Sequence, residues 1–101
     1  MTIATGLTVS DEEVAAICNR YRVRELSVFG SAARGEMNPD SDVDLLVDFE
    51  SDAQIGLLEL SAMRIDFSTL LDRRVDIAIK PALKPLVRSE VLADARVLYA
   101  A

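Results

Sequence analysis

Residues Leu26 to Asp48 read LSVFGSAARGEMNPDSDVDLLVD, two apolar runs joined by a segment rich in turn formers. The first run predicts a strand over Val23–Phe29 that ends on Gly30, where the missing side chain lets the backbone turn or approach a ligand. Asn38-Pro39-Asp40-Ser41 then stops any helix and reverses the chain. The second run predicts a strand over Val43–Phe49. Side chains alternate across a strand, so Asp42, Asp44, Leu46 and Asp48 share one face and Val43, Leu45, Val47 and Phe49 the other. Two carboxylates therefore point the same way. Ten residues separate Ser31 from Asp42, room for a short helix starting over Ser31–Arg34 and a turn, so a Gly-Ser strand end faces an Asp-x-Asp strand start.

The flanking segments extend the pattern in both directions. Upstream, Ser10-Asp11-Glu12-Glu13 is a capping box with an acidic first turn, and it predicts a helix from Asp11 to Tyr21. Met1–Val9 shows no period and is expected to pack loosely. Downstream, Glu50–Ala53 is a polar loop. Leu57, Leu60, Met63, Phe67, Leu70 and Leu71 recur at helical spacing and predict a core-facing helix ending near Asp72. Val75–Ile79 is a third strand, in which Asp76 is the one acidic residue. Pro81 and Pro85 bracket a turn or helix start, Leu86, Val87 and Val91 mark a last helix, and Arg96–Tyr99 forms a short strand or tail. Helices alternating with strands predict an α/β (α+β) fold, a small mixed β-sheet flanked by helices.

Composition bounds what such a fold does. Half of the 101 residues are hydrophobic, enough for one core and too few for two, so residues 1–101 are expected to form a single domain. No apolar run approaches the roughly 20 residues needed to span a bilayer, and the first ten residues lack the pattern of a signal peptide. A cytoplasmic protein without membrane contact is the expectation. Cys18 sits among Ala15, Ala16 and Ile17 and reads as a buried helix residue. Seventeen acidic against eleven basic residues give a net charge of −6, which argues against a broad nucleic-acid footprint. The chain has no histidine, so catalysis falls to carboxylates, hydroxyls, Arg, Lys and metal ions.

Those constraints fit phosphoryl or nucleotidyl transfer. Negative charge develops there on phosphate oxygens, and two divalent ions stabilise the attacking and the departing oxygen. Magnesium takes hard oxygen ligands and is commonly held by a few carboxylates plus substrate phosphates. Asp42 and Asp44 supply two carboxylates, and Asp76 on a neighbouring strand a third. Three packed carboxylates repel one another unless cations lie between them. Gly30 and Ser31 offer exposed amides and a hydroxyl to phosphate oxygens, and Arg34, one turn on, offers a guanidinium. The bland readings of Arg34 are a bridge to Glu36 or to a strand-end carboxylate. Asp48 reads as a solvated or salt-bridged position and Asp40 as a turn residue. Arg20, Arg22 and Arg24 form either a solvated face or a patch for an acidic partner, and Lys80 and Lys84 follow the Asp76 strand as weaker candidates for the triphosphate.

Gly30-Ser31, ten residues and Asp42-Val43-Asp44 resemble the GSx10DxD signature of the DNA polymerase β-like nucleotidyltransferase superfamily. Gly30-Ser31-Ala32-Ala33-Arg34-Gly35 followed by Ser41-Asp42-Val43-Asp44-Leu45-Leu46-Val47 is similar, more narrowly, to the minimal nucleotidyltransferase (MNT) proteins, and Arg74-Val75-Asp76-Ile77 extends the likeness to the strand bearing that family's third carboxylate. The resemblance implies that Gly30 and Ser31 contact the triphosphate. It also implies that Asp42, Asp44 and Asp76 hold two Mg2+ ions, with Asp76 helping to deprotonate the acceptor. It further implies ATP as substrate, and a hetero-oligomer with a HEPN-domain ribonuclease toxin that is neutralised by adenylylation of a tyrosine.

Two other readings stand beside that one. A contact-only antitoxin would neutralise its toxin by binding and keep the acidic site as a relic, although all of Ser31, Asp42, Asp44 and Asp76 are present. A small-molecule nucleotidyltransferase acting as an oligomer would need a pocket that 101 residues leave little material to build.

Overall fold

Two seven-residue strands flanking the central loop pair as an antiparallel ribbon, and the rest of the sheet grows from it. The computed structural model describes residues 1–38 and 40–101. Its elements run β1 (Thr2–Ala4), β2 (Leu7–Thr8), α1 (Asp11–Arg20), β3 (Val23–Phe29), β4 (Val43–Phe49), α2 (Leu57–Leu71), β5 (Val75–Ile79), a 3-10 turn (Lys80–Ala82), α3 (Pro85–Asp94) and β6 (Arg96–Ala100). The main sheet has the order β5-β4-β3-β6. It is mixed: β3 pairs antiparallel with β4 and β6, and β4 pairs parallel with β5. A parallel pair needs a crossover, which α2 supplies.

The two faces of the sheet are unlike. Leu26, Val28, Val43, Leu45 and Val47 join Val14, Ile17 and Cys18 of α1 and Met63, Phe67 and Leu71 of α2 in the main core. On the opposite face Ser27 and its register partner Leu46 are buried as well. There α3 lies against β3 and buries Val91. Hence α1 and α2 cover one face, α3 covers part of the other, and the face carrying Asp44 stays open at one end.

Strand and helix boundaries follow the sequence pattern closely. Ser10 accepts from the Glu13 amide at 3.3 Å and starts α1. The αL residue Asp72 closes α2, with the Arg73 carbonyl accepting from Ser68 Oγ at 2.6 Å. The choice left open for Arg96–Tyr99 resolves as a strand, because β6 finds a hydrogen-bonding edge on β3.

Three expectations are corrected. Met1–Val9 does not pack loosely: β1 and β2 form a hairpin whose Ile3, Ala4 and Leu7 belong to the core. No helix starts at Ser31; residues 30–35 form hydrogen-bonded turns, in which Gly30 O accepts from Arg34 N (3.1 Å) and Ser31 O from Glu36 N (2.9 Å). Leu57 does not face the core but is 80% exposed, as is Leu58 beside it at 84%, and Glu59 after them is exposed as well. The turn expected over Met37–Ser41 is present where described, with the Asp40 amide on Asn38 Oδ1 (2.9 Å) and the Ser41 amide on Asn38 O (3.0 Å); Pro39 lies outside the described residues.

Burial separates residues that hold the fold from those that decorate it. Ile3→Ala removes a fully buried side chain and should cost about 2–4 kcal/mol of unfolding free energy. Leu86→Ala, at a position 88% exposed, should change stability by no more than about 0.5 kcal/mol. Urea denaturation of both variants checks this contrast.

Candidate active site

Register brings the candidate residues together. Phe29 pairs with Asp44 across the antiparallel ribbon, so Gly30 follows directly beside Asp44. Asp44 in turn pairs with Asp76 across the parallel β4–β5 ladder. Asp42 precedes β4, where the Arg74 guanidinium approaches it (Nε to Oδ1, 3.3 Å). Arg73 pins the preceding turn by donating to the carbonyls of Asn38 (2.9 Å) and Ser41 (3.4 Å), and the Val43 amide bonds to Arg74 O at 2.9 Å. The start of β4 is thus held by the two residues that lead into β5.

Gly30 resists a side chain for two reasons. Its φ is +70°, a left-handed conformation that L-residues with a Cβ adopt at a cost. A Cβ there would also overlap Asp44 Oδ2. The glycine therefore leaves the space that the Asp44 carboxylate occupies.

The electrostatics mark Asp44 as the centre of the cluster. Its carboxyl is half-buried, and desolvation pushes its pKa up, with further increments from the negative charges of Asp76 and Asp42; the Arg34 guanidinium acts in the opposite sense. Asp76 is exposed, so the cluster opens to solvent on the β5 side. Among the described residues no group of three or more His, Cys, Asp or Glu side chains encloses a single ion. The donor set nevertheless fits magnesium. The side chains present are hard carboxylates in mutual repulsion, and that ion is ordinarily bound by one or two carboxylates plus substrate phosphates.

The remaining candidates divide. Ser31 is half-buried at the loop start, beside Gly30. Arg34 bridges Asp94 (2.7 Å) and Glu36 (3.2 Å). Lys80 lies at the far end of the sheet, because β5 runs parallel to β4 and carries its C-terminus away from Asp44; it pairs with Glu25 at 3.0 Å. Asp48 pairs with Arg24, Arg20 with Asp66 (2.8 Å) and Arg22 with Glu50 and Asp52 (2.8 Å each), so these arginines are spent on neighbours. Burial pushes the Cys18 thiol up to about 12, which leaves it an unreactive core residue. A shallow groove of about 510 Å³ lies between α1 and α2, lined by Glu13, Arg20, Asp66 and Leu70 among others; it is on the opposite side of the sheet from Asp44. Sequence reasoning missed Arg74 and Asp94. Arg74 could have been found from its place two residues before Asp76, whereas nothing local marks Asp94, which meets Arg34 from 60 residues away.

The nucleotidyltransferase domain model matches residues 12–98, and the chain belongs to that family. The protein adenylyltransferase MntA of Thermococcus cleftensis is 44% identical over 75 residues, 74% of each chain. Two solved structures share the fold. A toxin–antitoxin with AMP-PNP has a TM-score of 0.75 at 15% identity, with 92% of this chain and 75% of that one covered. The tri-AMPylated Shewanella oneidensis HEPN toxin in complex with MNT antitoxin contains a chain that matches with a TM-score of 0.65 at 13% identity, covering 90% and 70%.

Two outcomes follow from the geometry. Gly30→Ala should lower stability by only about 1–2 kcal/mol, since Asp44 Oδ2 is the free end of a side chain and can swing away. Nucleotide binding should fall much further, because that swing moves the carboxylate out of the cluster; calorimetric titration beside a denaturation curve separates the two effects. The raised pKa of Asp44 means that the fold favours its protonated form. That contribution is present below the ordinary carboxylate pKa and is lost as pH rises through the raised one. Asp44→Asn should therefore melt higher than the unsubstituted chain at pH 7, and the difference should close toward pH 4, in thermal melts without divalent ions.

Proposed function

We propose that residues 1–101 act as one magnesium-dependent domain that transfers AMP from ATP to a hydroxyl, a tyrosine, of a HEPN-type ribonuclease toxin and so serves as its antitoxin. The observation that carries this reading is the meeting of the Gly30 strand end with the Asp44–Asp76 pair. The reading is supported by a protein adenylyltransferase as a 44%-identical relative and by a fold shared with a complex of MNT antitoxin and AMPylated HEPN toxin.

Each residue then has a role that its chemistry allows. The Gly30 turn and the Ser31 hydroxyl donate to phosphate oxygens, and Arg34 adds a charged donor. Asp42, Asp44 and Asp76 would hold magnesium, which when bound offsets the charge of the triphosphate and of its leaving group. The acceptor oxygen attacks the α-phosphorus, the bond from that phosphorus to the bridging oxygen of the β-phosphate breaks, and pyrophosphate leaves. The hydroxyl proton passes to Asp76. Exposure of Asp76 suits this step, since the acceptor is carried on another protein and must reach the carboxylate from outside.

Intact-mass spectrometry of the co-purified partner after incubation with ATP and magnesium tests the reading. The unsubstituted chain should add one or more AMP units, and Asp42→Asn/Asp44→Asn should slow the addition by about 10³-fold or more. A stable complex that gains no mass with any nucleoside triphosphate would contradict it and leave neutralisation by contact.

A further inference from the structure

The Arg34 amide donates to Gly30 O at 3.1 Å, which sets Arg34 one turn from the glycine beside Asp44, and its guanidinium is held from two sides. Nη1 donates to Asp94 Oδ2 at 2.7 Å and Nε to Glu36 Oε2 at 3.2 Å. Among the described residues Nη2 has no hydrogen-bond partner. A guanidinium is a planar fork of five N–H donors, so fixing two nitrogens sets the plane and leaves the third free to donate.

The two carboxylates are not equivalent. Glu36 belongs to the same loop as Arg34, two residues on. Asp94 is the last residue of α3, one residue from the Ala95 cap and two from Arg96, which pairs with Val28 in the sheet. Arg96 is itself tied to the first strand, donating to Thr2 O at 3.2 Å and to Ile3 O. Asp94 is therefore mounted on the frame, and the turn-built loop bearing Arg34 is registered against it. An exposed ion pair of this kind contributes little to stability, so its effect should appear in ligand binding.

We propose that Asp94 is a positioning residue for nucleotide: it holds the Arg34 guanidinium at the rim of the Asp44 cluster with Nη2 free to donate to a phosphate oxygen. The proposal rests on the reading of the site as a nucleoside triphosphate site. It places the end of α3, far from the Gly30–Asp44 motif in sequence, among the determinants of triphosphate affinity.

Calorimetric titration with α,β-methylene-ATP and magnesium, an analogue that cannot release pyrophosphate, tests it on the full chain. Asp94→Asn should weaken binding by about three- to tenfold through the lost ordering of one long side chain, with the melting temperature little changed. Asp94→Glu should recover most of the affinity. In an Arg34→Lys background, which keeps the charge and loses the fork, Asp94→Asn should add less than twofold. Equal or tighter binding by Asp94→Asn overturns the proposal, since Asp94 would then be a bystander or a competitor of phosphate for Arg34. Equal weakening in both backgrounds overturns it too, because Asp94 would not act through Arg34. If the unsubstituted chain itself fails to bind the analogue, the nucleotide reading falls and the proposal with it; if it binds and only the Asp94 outcomes fail, the proposal falls alone.

Discussion

The register of one antiparallel ribbon is the constraint on which the site depends. With Phe29 opposite Asp44, the chain leaving β3 must pass the Asp44 carboxylate, and only a residue without a Cβ fits there without displacing that carboxylate. A shift of one residue would turn Asp44 toward the main core and Leu45 away from it. Burial of Val43, Leu45 and Val47 thus fixes the register, and the register sets the chemistry: the hydrophobic core on one face determines which carboxylates meet on the other.

That arrangement concentrates negative charge at a strand end, which the fold tolerates because the cluster is left partly open. Arg74 beside Asp42 and Arg34 held near Asp44 reduce the repulsion without closing the site. Because α3 lies against β3 and stops at Asp94, and Asp76 is exposed, the carboxylates stay accessible from outside. A site of this shape suits a ligand that brings its own charge and an acceptor that arrives on another molecule.

Most of the candidate site's geometry was legible in the sequence because its determinants are local. Alternation along Val43–Phe49 places Asp42 and Asp44, and the apolar run Val75–Ile79 isolates Asp76; strands of five to seven residues carry enough period to be read. The N-terminal hairpin was not legible, since strands of three and two residues have no measurable period and their burial depends on where the sheet edge lies. The turns at Ser31–Arg34 look helical in composition, but the loop must both pass Asp44 and reach the Asn38 turn. Lys80 was misplaced because sequence proximity to Asp76 says nothing about strand direction. The Arg34–Asp94 contact is purely tertiary.

The central claim is that nucleotide and metal meet at the Gly30–Asp44–Asp76 junction. Paramagnetic broadening of backbone amide resonances by Mn2+ in the presence of ATP tests it most directly, because it locates the ion without relying on turnover. The account predicts broadening confined to residues around Gly30–Arg34, Asp42–Leu45 and Val75–Ile77. Broadening centred on the α1–α2 groove near Glu13 and Asp66, with the junction unaffected, would contradict it.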